Sequence, residues 1–199
     1  MKDKRIILVI LLIGLVSGFI YLNSRLEGQI SQQNSKQVTT GQSPCVPTFV
    51  DGGGPYYLPN VPFRTILAPQ QNAGTKLIVS GRILRSDCET VVPNAILDIW
   101  HADPQGNYKN DWYRGKVKAN EKGEFLFETL VPKGYGEGTG YRPPHIHFKV
   151  FINDQEIITS QMFFPDVKGR FEDAYIMDVT TKEENGKIVQ YATHDIILP

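Results

Sequence analysis

Short segments in which apolar and polar residues alternate run along the chain from residue 76 to its end. They are KLIVSGRIL (76–84), AILDIWHA (95–102), GEFLFETL (123–130), HIHFKVFI (145–152), EIITSQMFF (156–164) and YATHDIIL (191–198). Each has the length of a strand and is rich in β-branched or aromatic residues. Turn signals such as ANEKGE, INDQE and EENGK separate several of them. The pattern predicts an all-β domain over residues 45–199, a β-sandwich of mostly antiparallel strands.

The N-terminal region has a different pattern. The basic start MKDKR precedes an uncharged apolar run from Ile6 to Leu22, which is typical of a signal peptide or membrane anchor. We therefore expect residues 1–24 to form a signal or transmembrane helix that places the domain outside the cytoplasm, secreted or anchored. An uncleaved anchor is favoured because no A-x-A cleavage site follows. Residues 25–44 are rich in Gln and Ser and are predicted to be a flexible polar linker.

Composition limits the partners and the redox chemistry. The chain of 199 residues has 21 basic and 21 acidic residues, and this balance argues against a nucleic-acid partner. The two cysteines, Cys45 and Cys88, can pair in an oxidising compartment. They are too few for a Cys-rich zinc site, so we expect a disulfide that stabilises the fold.

Two histidines stand one residue apart in YRPPHIHFKV, residues 141–150. Residues i and i+2 of a strand project from one side, so His145 and His147 are expected to lie together on one face. Such a pair can chelate a metal ion, although an isolated pair is as often two packed histidines. Upstream lie Tyr108 in WHADPQGNY and Tyr135 in VPKGYGEG, each of which alone would be interpreted as a packing residue. Together the four form a ligand set suited to Fe(III), because phenolate is a hard anionic oxygen donor.

The order of these motifs resembles a known family. AILDIWHADPQGNY, FLFETLVPKGYG, YRPPHIHFKVF and ITSQMFF follow one another as do the core motifs of the intradiol ring-cleavage dioxygenases, the catechol and protocatechuate dioxygenases. The resemblance runs from about Gly54 to the C-terminus. GGGPYYLP also resembles the family's segment before the first core strand, although glycine replaces the acidic residue that often precedes Gly-Pro there. The resemblance implies one non-haem Fe(III) per chain, with a catechol and O2 as substrates and a cis,cis-muconate-type diacid as product.

The same resemblance assigns roles to individual residues. The four iron ligands that it implies are Tyr108, Tyr135, His145 and His147. Tyr108 and His145 would be equatorial ligands and the other two axial, and Tyr135 would also act as a base when a catechol binds. Arg142 and Gln161 match the family's active-site arginine and glutamine. Arg142 would depend on a bend at Pro143-Pro144 to reach the site.

Two other functions remain open from the sequence. An exported β-sandwich can be a binding module for catechols or carbohydrates without turnover. A ferrous oxygenase with two histidines and one carboxylate would need an acidic residue near His145 and His147, and the nearest candidate is Asp154. The particular catechol is not indicated, and the exposed edges of a sandwich leave dimerisation open.

Overall fold

The computed structural model describes residues 45–69, 71, 73–108, 111–167 and 175–199. Its strands are β1 (Lys76–Leu84), β2 (Ile96–His101), β3 (Arg114–Lys118), β4 (Glu124–Leu130), β5 (His145–Ile152), β6 (Gln155–Phe163), β7 (Asp178–Glu184), β8 (Lys187–Thr193) and β9 (Ile196–Ile197). Short 3₁₀ helices span Gly138–Gly140 and Pro165–Val167. No helix in these described ranges is long and apolar enough to cross a membrane. The predicted signal or anchor segment, residues 1–24, and the predicted linker, residues 25–44, lie outside the described residues.

The strands form two sheets. The first sheet has the order β3-β2-β5-β6 and is antiparallel throughout. The second has the order β4-β1-β8-β7, and β9 also pairs with β1. The pairs of β1 with β8 and β9 are parallel, whereas β1–β4 and β7–β8 are antiparallel. The predicted sandwich of mostly antiparallel strands is confirmed.

The core lies between the two sheets and follows from the alternation along each strand. Ile146, Phe148 and Val150 of β5 are fully buried in one cluster with Leu77 and Val79 of β1. Burying each such side chain contributes about 1.5–3 kcal/mol, which makes this register strongly preferred. The same alternation sends the histidines of β5 to the outer face of the first sheet.

The predicted strand over residues 191–198 is divided in the structure. β8 ends at Thr193 and β9 contains only Ile196–Ile197. Between them the backbone N–H of His194 donates to the Ser80 carbonyl oxygen at 3.0 Å. A Cβ on Gly81 would clash with the carbonyl oxygen of His194, so the interruption requires a glycine on the neighbouring strand.

The segment before β1 covers three sheet edges. Backbone N–H groups donate from Asp51 to β6 at 2.9 Å, from Arg64 to β3 at 3.0 Å and from Leu67 to β4 at 2.8 Å. The disulfide between Cys45 and Cys88 joins the start of this segment to the loop between β1 and β2. The segment therefore protects exposed edges and brings residues 51–57 over the outer face of the first sheet.

Candidate active site

The two histidines of β5 converge on one point. His145 and His147 are 2% and 3% exposed, and their Nε2 atoms are 3.0 Å apart. Two imidazole nitrogens that each lie about 2.1 Å from one metal ion, at right angles, would be separated by about 3.0 Å. The spacing therefore fits two ligands of a single ion.

Both imidazoles are in the protonation state that binds metals. Nδ1 of His145 donates to the Pro143 carbonyl oxygen at 2.6 Å, which leaves the Nε2 lone pair available. Burial, with the nearby Arg142 guanidinium, lowers the pKa of His145 to about 4. Burial, followed by His145 and Arg142, lowers the pKa of His147 to about 3. Both rings are therefore neutral at pH 7.

Two tyrosine rings complete the cluster. The Tyr108 and Tyr135 ring centroids are 5.5 Å apart and edge-to-face, and Tyr135 lies 5.6 Å from His145. The Tyr108 hydroxyl is buried, and no described residue offers it a hydrogen bond of good geometry. Burial, reinforced by Tyr135, raises the pKa of Tyr108 above its ordinary value, so its phenolate needs a compensating positive charge. A ferric ion would supply that charge and would be coordinated by the Tyr108 oxygen. These residues therefore fit the metal that the sequence implies.

Asp103 organises the loop that carries Tyr108. Its carboxylate Oδ1 accepts from the backbone N–H groups of Gln105 at 2.9 Å and Asn107 at 2.8 Å. Its carbonyl oxygen accepts from the backbone N–H of Lys133 at 3.2 Å. This last bond connects the Tyr108 loop to the segment that leads to Tyr135, so the two tyrosines are positioned together.

Arg142 turns toward the face that carries the histidines. Its Nη2 donates to Oε1 of Gln161 at 2.5 Å, and Gln161 lies opposite His147 in the register of β5 and β6. The turn occurs before β5, where Pro143 and Pro144 interrupt regular pairing. Nε of Arg142 is buried and has no partner among the residues that the structure describes, which leaves a donor for a ligand.

Gln161 is 2% exposed and also contacts a residue that the sequence did not indicate. Its Nε2 donates to the Asp51 carboxylate, which lies on the N-terminal segment over the first sheet. No sequence signal links the two, since they are 110 positions apart. The structure thus brings together all six residues predicted for the site and adds Asp51.

The residues that pack around His147 were also not predicted from the sequence. Trp100 stacks parallel to the His147 ring with a centroid distance of 5.0 Å. Gly54 has a φ of 65°, and a Cβ there would approach the same ring within 3.5 Å. Tyr56 stacks on Tyr108 at 4.2 Å. The position of Trp100 could have been found from strand parity only if the pairing of β2 with β5 had been known.

The carboxylate alternative finds no support in this geometry. Asp154 lies in the turn after β5, at the opposite end of that strand from His145. Within the described ranges, no group of three or more His, Cys, Asp and Glu side chains could hold a metal ion. Two tyrosines lie beside the histidines, and the nearby Asp51 carboxylate is hydrogen-bonded to Gln161 and to the backbone of Gly52.

Comparison with known proteins identifies the family of the chain. A profile of a family described as dioxygenase matches residues 53–196, a range that contains all four donors. A chlorocatechol 1,2-dioxygenase from Pseudomonas putida is 29% identical over 170 residues, which cover 73% of this chain and 65% of that protein. The chain belongs to the intradiol ring-cleavage dioxygenases. It spans 56–65% of the length of the chlorocatechol dioxygenases that it matches.

Solved structures of this dioxygenase family share the fold. The dioxygenase domain of a dioxygenase carbohydrate-binding protein fusion from Streptomyces sp. SirexAA-E is 30% identical, with a TM-score of 0.64. The match covers 77% of this chain and 98% of that domain. A 3-chlorocatechol 1,2-dioxygenase from Rhodococcus opacus 1CP has a TM-score of 0.67 over 75% of this chain and 71% of its own. At 20% identity, the second likeness concerns the fold alone.

Proposed function

We propose that this intradiol dioxygenase opens a catecholic ring between its two hydroxylated carbons, using O2, to give a cis,cis-muconate-type diacid. The observation that carries the proposal is the 3.0 Å convergence of the His145 and His147 Nε2 atoms beside two tyrosines. Tyr108, Tyr135, His145 and His147 would hold one Fe(III). Bound ferric iron supplies Lewis acidity and electron withdrawal, which make a coordinated catechol reactive toward O2.

Tyr135 is the proposed base. As a phenolate, its Oη would take the proton of one catechol hydroxyl, so no separate carboxylate is needed. Its position supports this role, because the ring lies at the junction of Tyr108 and His145. Glycines flank it at positions 134 and 136, where neighbouring backbone or side-chain atoms pass too close for a Cβ.

Arg142 is proposed to stabilise negative charge that develops on the ring and its oxygens. A guanidinium is always charged, and Gln161 holds one of its nitrogens. A charge held in place in a buried site needs little reorganisation during the reaction, which is the condition for strong electrostatic catalysis. Gln161 therefore serves to fix the orientation of Arg142.

Aromatic residues cover part of this site and shield it from water. Tyr56 covers Tyr108, and Trp100 covers one face of His147. Tyr57 packs edge-on against Trp100 at 4.9 Å. These contacts lower the local dielectric, so the interaction between Arg142 and the substrate becomes stronger than it would be in water.

The test uses the full chain purified with iron under air. We expect one iron per chain, a red-brown colour from tyrosinate-to-iron charge transfer, and O2 uptake with ultraviolet absorption of muconates. The substrate panel contains catechol, protocatechuate, hydroxyquinol and chlorinated catechols, since one relative is a chlorocatechol dioxygenase. A colourless, iron-free protein or a yellow semialdehyde product would refute the proposal. Catechol binding without cleavage would instead indicate a binding protein.

We also propose that the reaction takes place outside the cytoplasm. The Cys45–Cys88 disulfide supports this location, because disulfides persist in oxidising compartments. The apolar run from Ile6 to Leu22 after a basic start supports it from the sequence. Fractionation of cells, with protease digestion of intact spheroplasts, tests it: protection of the domain from protease would contradict the proposal.

A further inference from the structure

We infer that Asp51 is a positioning residue that sets the orientation of Arg142 through Gln161. The three side chains form one line of hydrogen bonds. Arg142 Nη2 donates to Gln161 Oε1, and Gln161 Nε2 donates to the Asp51 carboxylate. The inference rests on the proposed function in one respect, namely that Arg142 acts on a bound catechol.

The chemistry of the amide explains why Asp51 matters. A primary amide has donors at one end and an acceptor at the other, so a buried Gln161 has two opposite orientations. The Asp51 carboxylate only accepts hydrogen bonds when ionised, and therefore selects the orientation in which the Gln161 NH2 group faces it. The Gln161 oxygen then faces Arg142. In the opposite orientation the N–H donors of Gln161 and Arg142 would face each other, and the Gln161 oxygen would face the Asp51 carboxylate, so these hydrogen bonds would be lost.

Asp51 itself is held by the backbone. Its N–H donates to the carbonyl oxygen of Thr159 at 2.9 Å, two residues before Gln161 on β6. Its carboxylate Oδ1 accepts from the N–H of Gly52 at 2.7 Å, which leaves Oδ2 for Gln161. The carboxylate is thus fixed relative to the same strand that carries the amide.

The other end of the line is fixed as well. The backbone of Arg142 pairs with Tyr135 through two hydrogen bonds, of 2.8 and 3.0 Å. With the backbone and Nη2 both held, the guanidinium has little freedom to rotate. Its buried Nε–H, for which no acceptor exists among the described residues, is then presented in one direction. Removal of the Asp51 carboxylate would allow the Gln161 amide to turn and so free the Arg142 guanidinium. The proposed metal ligands would stay in place.

The experiment compares Asp51→Ala with Asp51→Asn, and with Glu183→Ala as a control carboxylate on the exposed strand β7. In Asp51→Ala we expect iron content and charge-transfer absorbance to stay at wild-type levels. We expect kcat to fall about 10- to 100-fold while KM changes less than about threefold, because a misplaced Arg142 fails chiefly as charge develops. Asp51→Asn retains an acceptor oxygen for Gln161 and should rescue most of the loss. Glu183→Ala should match the wild type.

A double-mutant cycle separates positioning from a general structural role. If Asp51 acts through Gln161, Asp51→Ala should have almost no further effect on kcat in a Gln161→Leu background. Independent, additive losses would overturn the inference. So would an unchanged kcat in Asp51→Ala, or a loss in Asp51→Asn as large as that in Asp51→Ala.

A readout without iron or turnover keeps this inference distinct from the proposed function. In the ¹⁵N-labelled, metal-free full chain, the side-chain N–H groups of Gln161 and Arg142 should exchange with water at least about 10-fold faster in Asp51→Ala than in wild type. Unchanged exchange would refute the inference whatever the activity. Faster exchange in a protein that cleaves no catechol would mean that the hydrogen-bond line is real and the proposed function wrong.

Discussion

Tyr135 and Arg142 face each other across a two-residue bridge in which each backbone N–H donates to the other's carbonyl oxygen, at 3.0 and 2.8 Å. A proposed iron ligand and the proposed catalytic cation are thus held together by main-chain atoms. The bridge does not depend on either side chain. The two functions can therefore be separated by substitution.

Arg142→Ala should retain the bridge and with it the position of Tyr135. We expect iron content and colour to remain near wild type, while ring cleavage falls by about 10²-fold or more, the scale for loss of one preorganised electrostatic group. Oxygen uptake with the best substrate of the panel measures the effect. Arg82→Ala is the matched control, because Arg82 is an exposed arginine of β1 paired with Asp195. Full activity in Arg142→Ala would show that the guanidinium has no catalytic role.

Tyr108→Phe removes the buried hydroxyl that has no good partner in the described part of the structure. The iron-loaded variant should lose most of the charge-transfer band, because one of two phenolates is gone. The metal-free variant should be as stable as wild type or up to about 1 kcal/mol more stable, since an unsatisfied buried hydroxyl has been removed. Visible absorption and urea unfolding provide the two measurements.

Tyr191→Phe is the control for this substitution, because Tyr191 lies on β8 in the other sheet and its hydroxyl donates to Glu184. It should keep the whole band. An undiminished band in Tyr108→Phe would exclude Tyr108 as an iron ligand.

Strand β5 shows how much of the site the sequence could predict. Its alternation is complete, with Ile146, Phe148 and Val150 on the buried face, so the face that carries His145 and His147 follows from local pattern alone. The bounds of β5 and β1 agree with the predicted segments. Local pattern was sufficient for these two strands.

The missed elements lack that local signal. β7, DVTTKEE, is almost wholly exposed, and β3, RGKVK, contains a single large apolar residue. Hydrogen bonding to neighbouring strands, and not an alternation of apolar side chains, makes these segments strands, although β3 is mostly buried. Two contacts could not be predicted in this way: Asp51 with Gln161, and Trp100 with His147. They depend on which distant segments meet and on strand register, and a pattern within one segment contains neither.

The disulfide makes a prediction about stability. Cys45 and Cys88 are 43 residues apart, and a cross-link of this span stabilises the fold by up to about 4 kcal/mol through the unfolded chain. The Cys45→Ser/Cys88→Ser variant should unfold at correspondingly lower urea concentration, and reductant should not weaken it further. Thiol titration of the purified protein under non-reducing conditions should find no free thiol. Two free thiols in that protein would contradict the pairing.

The final prediction concerns stability in acid and comes from a histidine outside the proposed metal site. Nδ1 of His101 donates to the Ala102 carbonyl oxygen at 2.7 Å, so Nε2 accepts from the Thr129 hydroxyl at 2.9 Å. Burial lowers the pKa of His101 to about 4 from 6.5. Below pH 6.5 His101 is therefore protonated in the unfolded chain, whereas in the folded chain it stays neutral down to about pH 4. The stability that neutral His101 contributes is fully present above pH 6.5. It is lost as the pH falls to about 4, by at most about 3 kcal/mol.

His101→Gln should remove this contribution and flatten the dependence of the unfolding free energy on pH between 6.5 and 4. Urea unfolding of metal-free protein at several pH values measures it, and metal-free samples keep iron release from the proposed ligands His145 and His147 out of the comparison. His145, His147 and His194, whose pKa values burial also lowers, remain in both proteins, so part of the slope should persist. Glu183→Gln on exposed β7 should keep the wild-type slope. If His101→Gln retains that slope too, protonation of His101 is not what destabilises the fold in acid.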